Sequence, residues 1–184
     1  MKTSDIKRYL QTYSISKKRS STINNAFASA LSVADNFVIE EVNNAIKLLG
    51  QDSKKDLKCV YCDGPASTWD HINAIVRNAE FSGYGHQLNN LVPCCKDCNS
   101  SKGNKNWKIF LKNKNPKNLS KKISIINKYL KNSNVTDIKK KLNSKAVKEE
   151  YKKYMEIKDK VIKLLEKADK QAEVIREKLK SNSK

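Results

Sequence analysis

Two Cys-x-x-Cys pairs, Cys59/Cys62 and Cys95/Cys98, set the chemistry open to this chain. Each pair can turn two thiolates toward one ion, and two pairs make a closed, tetrahedral four-sulfur zinc site. Four buried free thiols would give no reason for the paired spacing, and a disulfide framework needs a secreted chain, to which nothing here points. The fifth cysteine, Cys94, keeps the two-residue spacing to Cys98 less well than Cys95 does, so it is expected to pack as a small apolar residue. The interval between the pairs exceeds that of the shortest zinc ribbons, so something folds inside it. That insert carries Asp70-His71 and Asn90-Leu91-Val92, and Asn99 follows the last cysteine directly. His71 is one of only two histidines. A neutral imidazole near its ordinary pKa suits removal of a proton from water, which makes His71 a candidate general base. Its other readings are a core histidine or a zinc ligand, and four thiolates already fill a zinc shell.

On Cys-x-x-Cys, Asp70-His71-Ile72, Asn90-Leu91-Val92-Pro93 and Cys95-x-x-Cys98-Asn99-x-x-Lys102, the chain resembles the HNH (ββα-metal, or His-Me finger) endonucleases. The resemblance covers roughly a quarter of the sequence. It departs at the third signature position, where Asn99 stands and many members have histidine. It implies that Asp70 and the Asn99 side-chain oxygen hold one Mg²⁺ or Mn²⁺, both being hard oxygen donors suited to such an ion. It also implies that Asn90, rather than its neighbour Asn89, orients His71 or pins the loop carrying it, and that the zinc is structural. The activity implied is metal-dependent hydrolysis of phosphodiester bonds in double-stranded DNA, leaving 5′-phosphate and 3′-hydroxyl ends. A small chain of this kind looks restriction-type, acting as a homodimer so that two single-metal sites cut both strands. The alternatives are a nicking, homing or nonspecific nuclease, and a non-catalytic zinc-stabilised DNA-binding module.

Charge points to the same class of partner. The 184 residues carry a formal net charge of +19, which favours a polyanion, with nucleic acid ahead of membrane. The excess is local: residues 101–145 hold fourteen lysines, no arginine and one acid, Asp137. Lys102 and Lys105 open this block as candidate phosphate contacts. Arg77, in the loop after the Asp-His strand, is the candidate base contact, since lysine favours phosphate over paired contacts to guanine. His86 reads as a surface loop histidine, and Trp69 as packing behind its strand. No apolar run approaches the ~20 residues that span a bilayer, and the first residues lack the apolar core of a signal peptide. A soluble, intracellular (cytoplasmic) protein is expected.

The fold expected is mainly α, with a small ββα-metal (HNH) zinc-stabilised core, N-terminal helices and a long C-terminal heptad helix. Residues 1–50 form the helical segment. Ile6, Tyr9, Leu10 and Tyr13 lie at helical spacing, Lys17-Lys18-Arg19 reads as a connection, Ser20 or Ser21 caps a second helix, and Asp35 or Asn36 a third ending at Gly50. Residues 51–113 form the nuclease core, with strands at 68–72 and 88–92 and a helix from about Asn99. Residues 114–144 form short basic helices, broken at 132–136. Residues 145–184 form the long helix, whose 4-3 alternation from Val147 to Leu179 is a heptad seam interrupted by Lys158. The seam fits either packing on the chain's own N-terminal helices or a dimer.

Overall fold

The computed structural model describes residues 3–132 and 138–181. It is mainly α around a small ββα core with its four paired cysteines together, as the sequence predicts. A 3-10 turn, Thr3–Arg8, precedes α1 (Ile15–Ala30) and α2 (Ile39–Leu48). Then come β1 (Thr68–His71), β2 (Val76–Arg77), β3 (Glu80–Phe81) and β4 (Leu91–Cys94). The chain ends in α3 (Lys96–Lys102), α4 (Trp107–Lys114), α5 (Leu119–Lys131), α6 (Lys139–Leu142) and α7 (Lys148–Ser181). Most of the sequence-based break at 132–136 lies outside the described residues.

Several boundaries differ from expectation, each for a local reason. α1 begins at Ser14, whose side chain accepts from Lys17 N, so Lys17-Lys18-Arg19 is helical rather than a connection. α2 starts after Val38 with no side-chain cap, because the two candidate caps lie upstream and Asp35 is engaged elsewhere. The expected strand 88–92 is a 3-10 turn at Leu88–Asn90 followed by β4. Gly50 closes α2 with φ +74, the left-handed geometry glycine adopts without penalty.

Two apolar clusters organise the chain. The first joins the knuckles and β1–β4 (Cys59, Tyr61, Ile72, Val92, Cys94, Cys98) to Ala45, Ile46 and Leu49 of α2, to Trp107, Phe110 and Leu111 of α4, and to Ile126 and Tyr129 of α5. Tyr61 and Phe110 meet edge to face with ring centroids 5.3 Å apart. Antiparallel pairing of Asp70 with Val92 and His71 with Leu91 fixes the register of β1. The second cluster sets Ala28 of α1 and Leu31 at its C-cap on the β2–β3 hairpin (Val76, Phe81), with Ile75, Leu142 and Tyr151. The basic helices are therefore not free: α5 seals the main core.

α1 and α7 pack antiparallel. The Tyr154 hydroxyl donates to Phe27 O at 2.8 Å and the two rings lie 5.3 Å apart. One helix pair along, Asp169 meets the other end of α1: its Oδ1 accepts from Ile15 N at 2.6 Å and its Oδ2 from Ser16 N at 2.9 Å. The seam over 151–169 is thus covered by the chain's own α1, while Ile175 and Leu179 farther along are exposed. These hydrogen bonds, led by that from the Ser16 hydroxyl, hold the Asp169 carboxyl well below the usual carboxylate range. A carboxyl so depressed stabilises the fold fully above its unfolded pKa of about 3.9 and loses that contribution only as pH falls through the folded value. Asp169→Ala is therefore expected to lower the melting temperature at neutral pH, with the gap to wild type persisting at pH 4 and closing only in stronger acid. Melts followed by circular dichroism across that range check it.

Candidate active site

The first knuckle turns through Asp63, held at φ 64, and Gly64. The second knuckle caps α3: the Cys95 sulfur accepts from Cys98 N at 3.4 Å. The Sγ atoms of Cys59, Cys62, Cys95 and Cys98 all lie within 4.8 Å of one another, and those of Cys62 and Cys95 are 3.7 Å apart. Sulfurs at about 2.3 Å from a tetrahedral zinc stand at such separations. The Cys59 thiol is pulled down to about 4, chiefly through its contact with the Cys94 sulfur, while burial first and the neighbouring sulfurs second push Cys62 and Cys98 up. Four sulfurs converging on one point are the donor set of a closed tetrahedral site, so the residues fit zinc. Cys94 is buried as expected, but it also touches the cluster, its Sγ 3.8 Å from that of Cys59.

β1 carries Asp70 and His71 to the edge of this cluster, and α3 runs alongside. Asn99 and Lys102, three residues apart on α3, both reach β1. Asn99 Nδ2 donates to Trp69 O at 3.3 Å and Thr68 Oγ1 at 3.4 Å, which leaves its amide oxygen free of those bonds. Lys102 Nζ lies 3.0 Å from Asp70 Oδ2 and donates to Asp70 Oδ1 at 3.1 Å and His71 O at 2.8 Å. Lys102 is fully buried, so it has no surface from which to contact a phosphate. That expectation is corrected: the ammonium faces inward because a buried carboxylate draws it there. Asp70 is 4 % exposed and its Oδ2 also accepts from the Tyr61 hydroxyl at 2.6 Å. Burial raises the Asp70 carboxyl, with Lys102 and Tyr61 opposing. As donors for a hard cation, the Asn99 amide oxygen and the Asp70 carboxylate fit in type, while both Asp70 oxygens already accept from Lys102 or Tyr61. An ion held there would share Asp70 with Lys102.

His71 is held from three sides. Its backbone pairs with Leu91 and receives Lys102, and Ile72 N donates to Asn90 O at 2.8 Å. Asn90 is fully buried. Its Oδ1 accepts from Asn73 N at 2.8 Å, and its Nδ2 donates to Asn73 O at 3.0 Å and Gly85 O at 3.1 Å, tying the loop after His71 to the loop before β4. Asn89 turns away, donating to Asn132 O at the end of α5. His71 Nε2 lies 3.0 Å from His86 Nδ1, a contact that its spacing in sequence does not announce. Burial first, then His86 and Lys102, lower the His71 imidazole from its ordinary value to about 4, so it is neutral at neutral pH.

The chain matches the family described as HNH endonuclease over residues 59–105. Residues 59–105 form an HNH endonuclease domain. No curated protein and no solved structure matches the chain. Within the HNH domain, Arg77 lies on the β2–β3 hairpin rather than in a loop and is half-buried, its Nε without a partner among the described residues. Lys105, just past α3, is exposed and donates to Ser101 O at 2.7 Å. Trp69, expected behind its strand, is 44 % exposed on the outer side of β1. Among the described residues no helix is long and apolar enough to cross a membrane.

Proposed function

We propose that this protein hydrolyses phosphodiester bonds in double-stranded DNA, as a metal-dependent, restriction-type HNH endonuclease. The observation that carries this is the His71 imidazole, kept neutral at the end of β1 with Nε2 turned to His86. In this mechanism Nδ1 takes a proton as water attacks the phosphorus, and the 3′ oxygen departs. Asp70 and Asn99 would hold Mg²⁺ or Mn²⁺, which supplies charge neutralisation on the phosphate and at the leaving oxygen. Asn90 keeps the His71 loop in register, and the four cysteines with structural Zn²⁺ keep β1 and α3 at a fixed separation. Lys105, Lys108 and Lys112, exposed from the end of α3 along α4, offer phosphate contacts beside the site. A homodimer would bring two such sites to the two strands; Ile175, exposed toward the end of α7, offers it an apolar surface.

Plasmid cleavage tests the proposal. Purified protein with added Mg²⁺ or Mn²⁺ is expected to give discrete fragments, and His71→Ala to cut about 10²- to 10⁴-fold more slowly. Single-strand nicks or random cuts that still depend on His71 would keep the hydrolysis and replace the restriction role with a nicking, homing or nonspecific one. DNA that is retarded but uncut, equally by wild type and variant, would establish a binding module instead.

A further inference from the structure

Outside the family signature, the segment between α1 and α2 does something specific: it straps the His86 loop onto the site. Val33 O accepts from His86 N at 2.8 Å and Asp35 N donates to His86 O at 3.2 Å, a short parallel bridge of Ala34 with His86. Asp35 Oδ2 accepts from Leu88 N at 2.8 Å, clamping the loop on the far side of His86. The approach is too close for any side chain at Gly85, where a Cβ would stand 2.1 Å from Val33 O. From the other side Asn90 holds Gly85 O. The loop is thus fixed at residues 85, 86, 88 and 90, and from it the His86 side chain extends to His71. The rings are 4.9 Å apart and inclined by 66°, with Nε2 of His71 facing Nδ1 of His86 at 3.0 Å. His86 is itself exposed, so packing does not explain why it is held there.

We propose that His86 is a positioning residue for His71: its Nδ1 accepts the Nε2–H of His71, which fixes the ring and leaves Nδ1 of His71 as the basic nitrogen. The role of the outer nitrogen in choosing the tautomer of a working histidine is general. This inference rests on His71 being the base, yet its test does not depend on cleavage alone. With only two histidines in the chain, ¹⁵N-histidine labelling gives imidazole signals that the His86 and His71 variants assign outright.

In the wild-type zinc-loaded protein at neutral pH, His71 is expected to show a protonated Nε2 and an unprotonated Nδ1. In His86→Ala its two nitrogens should move toward the averaged shifts of a free imidazole, and single-turnover cleavage should fall roughly ten- to a hundred-fold while DNA binding is kept. His86→Asn, whose amide oxygen can stand where Nδ1 stood, should restore most of both. An unchanged His71 pattern in His86→Ala would overturn the proposal, as would a lost rate that His86→Asn fails to recover. If wild type proves not to cut DNA at all, the nuclease assignment fails separately, and the nitrogen signals still decide whether His86 sets the His71 tautomer.

Discussion

Protein stripped of zinc is expected to lose the fold of residues 59–111, while the α1–α7 pair keeps its helices. The main core depends on a sheet of two four-residue strands, far too little to hold Tyr61, Ile72, Val92 and Leu111 together unaided. What joins the first knuckle to β4 and α3 is the cluster of four sulfurs, and structural zinc in comparable small sites binds with about 10–16 kcal/mol at neutral pH. That is as large as the ~5–15 kcal/mol by which a whole domain is usually stable. α1 and α7 are built on different contacts, from Tyr154 to Phe27 and from Asp169 to the first turn of α1. Amide hydrogen exchange on metal-free protein and on Cys98→Ser should show protection lost at Ile72, Asn90 and Leu111 and kept along 154–169. One zinc per chain by elemental analysis should accompany the protected state. Equal protection with and without metal would show that the apolar core suffices and that the sulfurs are incidental.

How much of this was legible in the sequence depends on how far each contact reaches along the chain. The zinc ligands and the helix after them are local: two residues separate the paired thiols, and the second knuckle is itself the helix cap. The Asp-His pair and Asn90 were legible through the family's spacing, and the structure separates Asn90 from Asn89 by burial and by hydrogen-bond partners. Contacts set by distant segments were not. The strap at residues 33–35 gives His86 its place across more than fifty positions, and no pattern in either stretch advertises it. Reading Asp35 as a helix cap was reasonable chemistry for an aspartate; its acceptor went to Leu88 N instead. The lysine block misled in another way. Net charge describes a surface only if every lysine reaches it, and among the described side chains of the block two do not: Lys122 turns in to Asp63 and Val60 O, and Lys102 to Asp70. The heptad seam could name an apolar stripe but not its partner, which over most of its length is α1.

Lys102→Met is expected to destabilise the protein by about 3–5 kcal/mol, the usual cost of leaving one member of a buried ion pair alone. Methionine matches the lysine stem in length and packs well enough, so the loss is electrostatic rather than a cavity. Asp70 would keep only the Tyr61 hydroxyl, at 4 % exposure, and His71 O and Gly103 O would lose a shared donor. Neutralising the other partner as well should reverse most of this. In Asp70→Asn/Lys102→Met the amide oxygen still accepts from Tyr61, no buried charge is left over, and double replacements of buried pairs are often close to neutral. Urea unfolding of the zinc-loaded protein, without Mg²⁺ or Mn²⁺, measures the cycle. A double variant as unstable as Lys102→Met alone would mean that Lys102 acts through the carbonyls at the end of β1 and not through Asp70. A Lys102→Met variant as stable as wild type would mean that the ammonium contributes nothing where it lies. The first pattern, a large single loss mostly recovered in the pair, would establish that Asp70 reaches the site already balanced by a lysine. A cation held beside Asn99, as proposed above, would then meet a carboxylate whose charge is partly spent, and its affinity should be set as much by Lys102 as by Asp70 and Asn99.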